Sequence, residues 1–273
     1  MCDLSLLPAG LETCRLDDAL LAQGYESFAA EDRARLKTTQ ALAMSLYAER
    51  PDYEVLRRDS AALGFDRVET RVPAPWALFL VPGDFADAPR LTSMLMAARL
   101  GSVPQLAVGF LTAAPDTLSA GVLTALELCG VEHAFALHGY AGDSGAEALL
   151  RCMAEDGAGR LAGTGLPGEL VAGAQALGVG VYNAPLHPLA AVDPALAPEA
   201  LDAIRRLLPG VTQCALPLPA GSPRPAALYH TGETTAGAQV SLNEALAGCW
   251  LEADLTPDFF VNVSLSFTPY ADA

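Results

Sequence analysis

The sequence predicts an α/β protein: a helical N-terminal segment followed by a mostly parallel sheet. After residue 70, short apolar runs bounded by Gly or Pro alternate with segments of helical periodicity. Each strand–helix unit takes about 25 to 30 residues, which is typical of βαβ crossovers. The chain has 273 residues and is 52% hydrophobic, so it is long enough to bury a core.

The N-terminal segment is predicted to be helical. Residues 28–50, FAAEDRARLKTTQALAMSLYAER, have an apolar side that includes Leu36 and Leu42, with charge concentrated in the first half. Pro51 ends this helix, and YEVLRRDSAAL predicts a second helix that ends at Gly64. We therefore assign residues 1–70 to a helical N-terminal segment.

The central part of the chain, residues 71–220, is predicted to be the α/β core. Strands are expected over WALFLV, QLAVGFL, EHAFALHG, GRLAG and VGVYN. Helices are expected over APRLTSMLMAARLG, PDTLSAGVLTALELCG, GAEALLRCMAED, LPGELVAGAQALG and DPALAPEALDAIRRLLPG. The proline-rich LPLPAGSPRPA that follows predicts a linker or a covering loop.

Residues 221–273 are predicted to pack on the core or on a partner subunit. NEALAGCWLEADL indicates a helix, and DFFVNVSLSF indicates a strand. In that strand one face is entirely apolar and consists of Phe259, Val261, Val263, Leu265 and Phe267. An apolar face must pack against a body, either its own or that of a second subunit, and we expect a homodimer.

The composition excludes several classes of function. The formal net charge of −16 and pI near 4.5 disfavour nucleic acid and anionic membrane surfaces as partners. No apolar run is long enough to span a membrane, and the first residues lack a basic signal-peptide region. The cysteines at 2, 14, 129, 152, 214 and 249 form no C-x-x-C pair, so we expect buried thiols in the cytoplasm and no metal site.

A glycine-rich turn follows the run GRLAG. The letters Gly163-Thr-Gly165-Leu-Pro-Gly168 match a phosphate-binding turn between a strand and a helix. Pro167 removes one amide donor, and no acidic residue that could bind a ribose follows about twenty residues later. Asn183 ends the next strand instead. We therefore favour a structural role in packing for this glycine-rich turn over a role in phosphate binding.

Segments between residues 28 and 210 resemble, in order, those of histidinol dehydrogenase, an NAD-dependent zinc enzyme. LVPGD resembles its strand end Y-V-P-G-G, LCGVEHAFALHG resembles L-A-G-V-D-x-V-F-x-V-G-G, and GTGLPG lies where that family has G-P-G-N. A later stretch, RPAALYHTGETTAGAQVSLNEALAG, is similar to its P-T-G-G-T-A segment. The resemblance implies two incomplete Rossmann-like units, a homodimer, and a site for NAD.

The sequence departs from that family at the residues that bind zinc and the cofactor and at those that transfer protons. The S-Q-A-E-H-G signature that supplies zinc ligands is replaced by EALDAIRRLLPG, where Arg205 and Arg206 are cationic. The cofactor-binding Asn of G-P-G-N is Leu166 here, and the segment with the acid–base pair is missing. Alcohol oxidation requires a Lewis acid or a base near the hydroxyl. Histidinol oxidation by that mechanism is therefore not expected.

The remaining candidate residues define one predicted crevice. Gly139, Gly163, Gly165 and Asn183 are candidates for cofactor binding, and the rim is assigned to His138, Asp143, His187, His230 and Arg206. Arg206 could bind an anion, although a solvated helix face is the simpler interpretation. Two hypotheses follow: a non-catalytic relative that binds a small molecule or a protein without a cofactor, or an NAD-dependent oxidoreductase acting on a small alcohol or aldehyde.

Overall fold

The computed structural model describes residues 9–47, 51, 54–60, 64–218, 221–232 and 237–269. Its α-helices are α1 (Ala9–Glu12), α2 (Asp18–Ser27), α3 (Ala30–Leu46), α4 (Ala88–Leu100), α5 (Ala120–Leu128), α6 (Ala146–Ala154), α7 (Gly168–Ala176) and α8 (Pro198–Leu207). Its strands are β1 (Glu54–Ser60), β2 (Phe65–Pro73), β3 (Trp76–Pro82), β4 (Gln105–Leu111), β5 (His133–Leu137), β6 (Arg160–Thr164), β7 (Gly180–Ala184), β8 (Leu189–Val192), β9 (Thr212–Ala215), β10 (Ala227–His230), β11 (Val240–Asn243) and β12 (Val261–Pro269). Among the described residues, no helix is long and apolar enough to cross a membrane.

The central sheet is parallel and has the strand order β5-β4-β3-β6-β7. Counted from β3 along the chain, this is the order 3-2-1-4-5 of a dinucleotide-binding sheet. The direction of winding reverses between β3 and β6, so their carboxyl ends flank a topological switch point. The predicted α/β fold with a mostly parallel sheet is confirmed.

Strand β3 is buried on both faces, which explains its continuous apolar sequence. Ala77, Phe79 and Val81 belong to a core shared with α3, α4 and α5. The alternate residues Trp76, Leu78 and Leu80 belong to a second core with α6 and α7. Helices therefore cover both faces of the sheet, as the crossovers of parallel strands require.

A second parallel sheet has the order β11-β10-β8-β9. Helix α8 connects β8 to β9 and packs its apolar side on a third core that includes Ile204, Tyr229 and Trp250. Each of these strands has only four residues. Strand β9 directly precedes the expected linker LPLPAGSPRPA, and the sheet takes strands from both sides of residue 220.

Strands β1, β2 and β12 form an antiparallel sheet, the β arm. The prediction of a helix over YEVLRRDSAAL is wrong for Glu54–Ser60, which form β1 and pair antiparallel with β2 so that Ser60 is opposite Phe65. Gly64 has a φ of +75°, which glycine adopts readily. Residues 61–63 lie outside the described residues. Strand β12 is exposed on both faces from Val263 onward, and the apolar Val263, Leu265 and Phe267 are each more than half exposed.

The predicted helix over NEALAGCWLEADL is also wrong. Only Glu244–Leu246 makes a single 3₁₀ turn, and Gly248 then takes a φ of +85° that a helix cannot accommodate. This bend places Trp250 in the third core. Phe259 likewise lies in a 3₁₀ turn, Pro257–Phe260, and not in the strand that follows.

Candidate functional site

A solvent-open cavity of 560 Å³ lies at the carboxyl ends of three adjacent strands, β3, β4 and β5. We call it the edge crevice. Its lining residues come from the loops that follow these strands and are Pro82, Gly83, Asp84, Leu111, Thr112, Thr117, Gly139 and Tyr140. Open parallel sheets bind ligands at this edge, so its position in the fold makes the crevice the candidate site.

Close packing holds the first two loops of the crevice together. A Cβ on Gly83 would lie 2.5 Å from the Cβ of Thr112, so only glycine allows the β3 loop to approach the β4 loop this closely. The Thr112 hydroxyl accepts a 3.0 Å hydrogen bond from the amide of Ala114. The Thr117 hydroxyl donates to the carbonyl of Ala114 at 2.7 Å. Both hydroxyls thus stabilise the wall of the crevice.

Two polar groups of the crevice remain available to a ligand. Within the described part of the chain, neither the Asp84 carboxylate nor the Tyr140 hydroxyl has a hydrogen-bond partner. Asp84 is exposed, whereas Tyr140 is partly buried. Burial raises the pKa of Tyr140, which keeps the phenol neutral and able to donate a hydrogen bond. A carboxylate and a phenol in one crevice suit a ligand with hydrogen-bond donors.

Beside the crevice, a buried ionic network closes the N-terminus of α4. Asp87 and Arg90 are inaccessible to solvent, and the Arg90 Nη1 lies 3.2 Å from the Asp87 Oδ2. The Asp87 Oδ1 accepts the amide of Gly210 at 2.7 Å. Burial raises the pKa of Asp87. The hydrogen bond from Gly210 and the positive charge of Arg90 lower it, but by less than burial raises it. The network joins the two parallel sheets because Gly210 follows α8.

Further partners complete the network around Arg90. Its guanidinium donates to the carbonyls of Pro185, at 2.9 Å, and Leu186, at 3.2 Å. On the other side, Glu252 accepts hydrogen bonds from the Tyr182 hydroxyl at 2.9 Å and the Trp250 indole at 3.1 Å. Burial and the neighbouring carboxylate raise the pKa of Tyr182 far above its ordinary value. The network thus pairs Arg90 with two carboxylates, while its buried Nε, 3.8 Å from the Glu252 Oε2, makes no hydrogen bond among the described residues.

Among the predicted site residues, only Gly139 lines the edge crevice. Its φ of +123° makes glycine necessary at this strand end. His138 and Asp143 lie on the same loop and are both exposed. The His138 Nδ1 lies 3.4 Å from the Ser144 Oγ. The structure thus brings these three predicted residues together.

The predicted glycine turn lies at the end of β6, across the switch point from the crevice. A Cβ on Gly163 would lie 2.4 Å from the carbonyl oxygen of Leu80 and 2.6 Å from the Leu166 Cδ2. Gly165 has a φ of +62°. The side-chain amide of exposed Asn183 accepts from the Leu166 N–H at 2.9 Å and donates to the Leu166 carbonyl at 3.1 Å. All of these groups serve the turn itself.

The other three predicted residues lie on different elements. The His187 Nδ1 is 2.9 Å from the carbonyl of Gly210, and His230 ends β10 in the second sheet. Arg206 forms two hydrogen bonds with Asp32 of α3, at 2.9 and 2.7 Å. Since Asp32 is buried, this ion pair fastens α8 to α3. Arg206 thus forms an interhelical ion pair in the described structure, and its role as an anion site stays a prediction.

Sequence reasoning missed Asp84, Thr112 and Tyr140. They follow three different strands, and only the strand order places those strands side by side. A usable signal was present for two of them, because Asp84 directly follows Pro82-Gly83 and Tyr140 directly follows Gly139, each at the carboxyl end of a predicted strand.

The side chains fit a catalytic zinc ion poorly. Where the family resemblance implies zinc ligands, α8 carries Arg205 and Arg206, both of which are engaged with aspartates. Among the described residues, no group of three His, Cys, Asp or Glu side chains is arranged to hold a metal ion. Cationic side chains cannot ligate zinc.

A dinucleotide also fits poorly. At the start of α4, the amide of Ala88 is bonded to the carbonyl of Ala86, and Pro89 has no N–H. At the start of α7, Leu166 is buried and its amide is bonded to Asn183, while Glu169 adds a negative charge in the first turn. A pyrophosphate needs free amides at a helix N-terminus. Helix α4 does not supply them, and at α7 the carboxylate of Glu169 opposes a bound anion.

The strand order, the flanking helices and the position of the crevice define a dehydrogenase-like α/β fold. No protein-family model matches the sequence, and no curated protein matches it significantly. Histidinol dehydrogenase from Elizabethkingia anophelis shares the fold, with a TM-score of 0.58 at 12% identity over 94% of this chain and 77% of that chain. AldH from Staphylococcus aureus, in a substrate-bound state, gives a TM-score of 0.45 at 6% identity, covering 97% and 85% of the two chains.

Proposed function

We propose that this protein binds a small molecule in the edge crevice and does not carry out zinc-dependent alcohol oxidation. The observation that carries the proposal is the pair of groups, Asp84 and Tyr140, that have no hydrogen-bond partner among the described residues and line a cavity at the edge of the sheet where parallel sheets bind ligands. Support for the absence of zinc chemistry comes from Arg206, which is bound to Asp32 at a position where the family resemblance implies a metal ligand.

Calorimetric titration of a small-molecule library against the full chain tests the proposal. Tyr140→Ala and Asp84→Asn should each lower the affinity for a ligand of the crevice by about tenfold, because each substitution removes one of the polar groups that the crevice offers. Asp143→Asn is the matched control, since Asp143 is an exposed carboxylate on the Gly139 loop that does not line the cavity. Equal effects of Asp84→Asn and Asp143→Asn would place the ligand elsewhere.

An NAD-dependent oxidoreductase acting on a small alcohol or aldehyde is the second candidate. The similarity of its overall fold to histidinol dehydrogenase favours it. Metal analysis and assays of NAD reduction with histidinol and simple alcohols separate the two candidates. Stoichiometric zinc together with NADH formation would establish the oxidoreductase and refute the non-catalytic proposal.

We also propose that the protein is a homodimer formed through the β arm. Strand β12 is an edge strand, and Val263, Leu265 and Phe267 are 52 to 56% exposed. An unpaired edge next to exposed apolar side chains favours association. If β12 paired antiparallel with β12 of a second copy, a twofold axis would relate the two chains. The free backbone groups of both edge strands would then be hydrogen-bonded to each other.

A further inference from the structure

The edge crevice contains a single charged side chain, the carboxylate of Asp84. Building on the proposed function, we infer that the crevice selects uncharged or positively charged small molecules and rejects phosphate-bearing ligands, including dinucleotides. The fold would lead one to expect the opposite, because dehydrogenase-like sheets usually present a positive helix N-terminus to a pyrophosphate at this edge.

The first reason is that the protein supplies its own anion to the helix at the switch point. Asp87 is the N-cap residue of α4, and its carboxylate lies buried at this helix end, bound to Arg90 and to the amide of Gly210 and not to the helix amides. Ala88 and Pro89 offer no free amide donor. The helix dipole that would attract a phosphate is therefore satisfied internally.

The second reason is the local balance of charge. No Lys, Arg or His lines the crevice, and Asp84 has no cationic partner among the described residues. On the adjoining loop, His138 and Asp143 are both exposed, so a carboxylate accompanies the imidazole there. Across the switch point, Glu169 adds a further carboxylate at the start of α7. The charged side chain that lines the crevice is negative and would repel a ligand phosphate.

The third reason is that the remaining lining suits a cation or a neutral donor. Tyr140 lines the crevice, and its hydroxyl has no hydrogen-bond partner among the described residues, so this aromatic side chain suits a positive group or a neutral hydrogen-bonding ligand. While it is ionised, the Asp84 carboxylate can accept hydrogen bonds but cannot donate them. One unit charge close to another across a partly solvated cleft changes affinity by about tenfold, so one carboxylate is enough to separate cations from anions.

Charged thiol reagents measure this preference without a known ligand. A cysteine introduced by Thr117→Cys lies on the lining, and Ser45→Cys on α3 is an exposed control. Cationic ethylammonium and anionic ethylsulfonate methanethiosulfonates are compared at low ionic strength, with the unsubstituted chain correcting for native thiols. We expect the cation-to-anion rate ratio at position 117 to exceed that at position 45 by about tenfold. Adding Asp84→Asn should abolish the difference.

Two results would overturn the inference. One is an equal rate ratio at positions 117 and 45, and the other is saturable NAD binding that Tyr140→Ala abolishes. These outcomes differ from a failure of the proposed function. If the rate ratio is as expected but no neutral or cationic compound binds, the proposed function fails while the charge preference stands. If only anionic ligands bind in the crevice, the preference fails while the proposed function stands.

Discussion

The guanidinium of Arg90 lies 3.2 Å from the carboxylate of Asp87, and both side chains are fully enclosed by the protein. This pair joins the N-terminus of α4 to the loop after α8 and so couples the two parallel sheets. Asp87 is also the N-cap residue of α4, so the same contact places a buried carboxylate at this helix end.

Replacement of Arg90 should therefore be severely destabilising. Arg90→Met leaves Asp87 and Glu252 as buried, uncompensated carboxylates, and we expect a loss of about 3 to 5 kcal/mol in the free energy of unfolding. Urea denaturation measures it. Arg151→Met is the control, because its pair with Glu147 is exposed and should contribute less than about 1 kcal/mol. Similar losses in the two variants would contradict the importance of the buried network.

The two glycines of the predicted phosphate turn should behave differently. Gly163→Ala forces a Cβ against the carbonyl of Leu80 and should lower the free energy of unfolding by about 1 to 3 kcal/mol. Gly168→Ala places a Cβ in open space at the start of α7 and should be neutral or slightly stabilising, by up to about 1 kcal/mol. Thermal unfolding compares them. If both substitutions were tolerated, packing would not explain the glycine at 163.

Arg206→Ala should destabilise the protein without affecting ligand binding. The substitution leaves the buried carboxylate of Asp32 without its two hydrogen bonds. We therefore expect the free energy of unfolding to fall by about 1 to 3 kcal/mol. Arg205→Ala is the adjacent control, since Arg205 contacts only exposed Asp202 in the described structure. Titration with inorganic phosphate gives the second readout. Phosphate binding that disappears in Arg206→Ala would restore the interpretation of Arg206 as an anion site.

The β arm should loosen at acidic pH. Hydrogen bonds from Arg71 and Arg67 hold the pKa of Glu69 below its usual range. Because the folded pKa is depressed, this stabilisation is present above the unfolded value of about 4.3 and is lost as the pH falls through the folded value. Amide signals of β2 and β12 should therefore lose dispersion on acidification. Glu69→Gln should remove that pH dependence, and its persistence in this variant would exclude Glu69 as the cause.

The proposed homodimer depends on the apolar face of β12. Leu265→Ser combined with Phe267→Ser should halve the mass measured by light scattering, because both side chains are exposed and apolar in the single chain. Ser266→Asn lies on the opposite face and should leave the mass unchanged. Circular dichroism verifies that the variants remain folded. A monomeric unsubstituted protein at micromolar concentration would refute the dimer.

The sequence was sufficient for the central sheet and insufficient for its surroundings. Strands such as β3 are buried on both faces, so their apolar runs are unmistakable. Strand β1 is exposed along most of its length, and Val55, Leu56 and the arginines beside them have no alternation that distinguishes a strand from a helix. The four-residue strands of the second sheet are too short to show a period.

The site was only partly predictable for a different reason. Gly139 was found because a strand end can be read locally, whereas the proximity of Asp84 and Tyr140 depends on which strands are neighbours. Ion pairs over long separations, such as that of Arg206 with Asp32, also leave no local signal. The predicted crevice therefore combined residues that the fold assigns to separate elements.

Chemical-shift mapping of the full chain with uncharged and positively charged small molecules tests the central claim most directly. We expect at least one compound to cause saturable shifts confined to the loops at residues 82–84, 111–117 and 139–140, and Asp84→Asn to weaken that binding. Saturable shifts that centre instead on the start of α7 or on the second sheet would contradict the assignment of the edge crevice as the binding site, as would the absence of any saturable shift in the three loops.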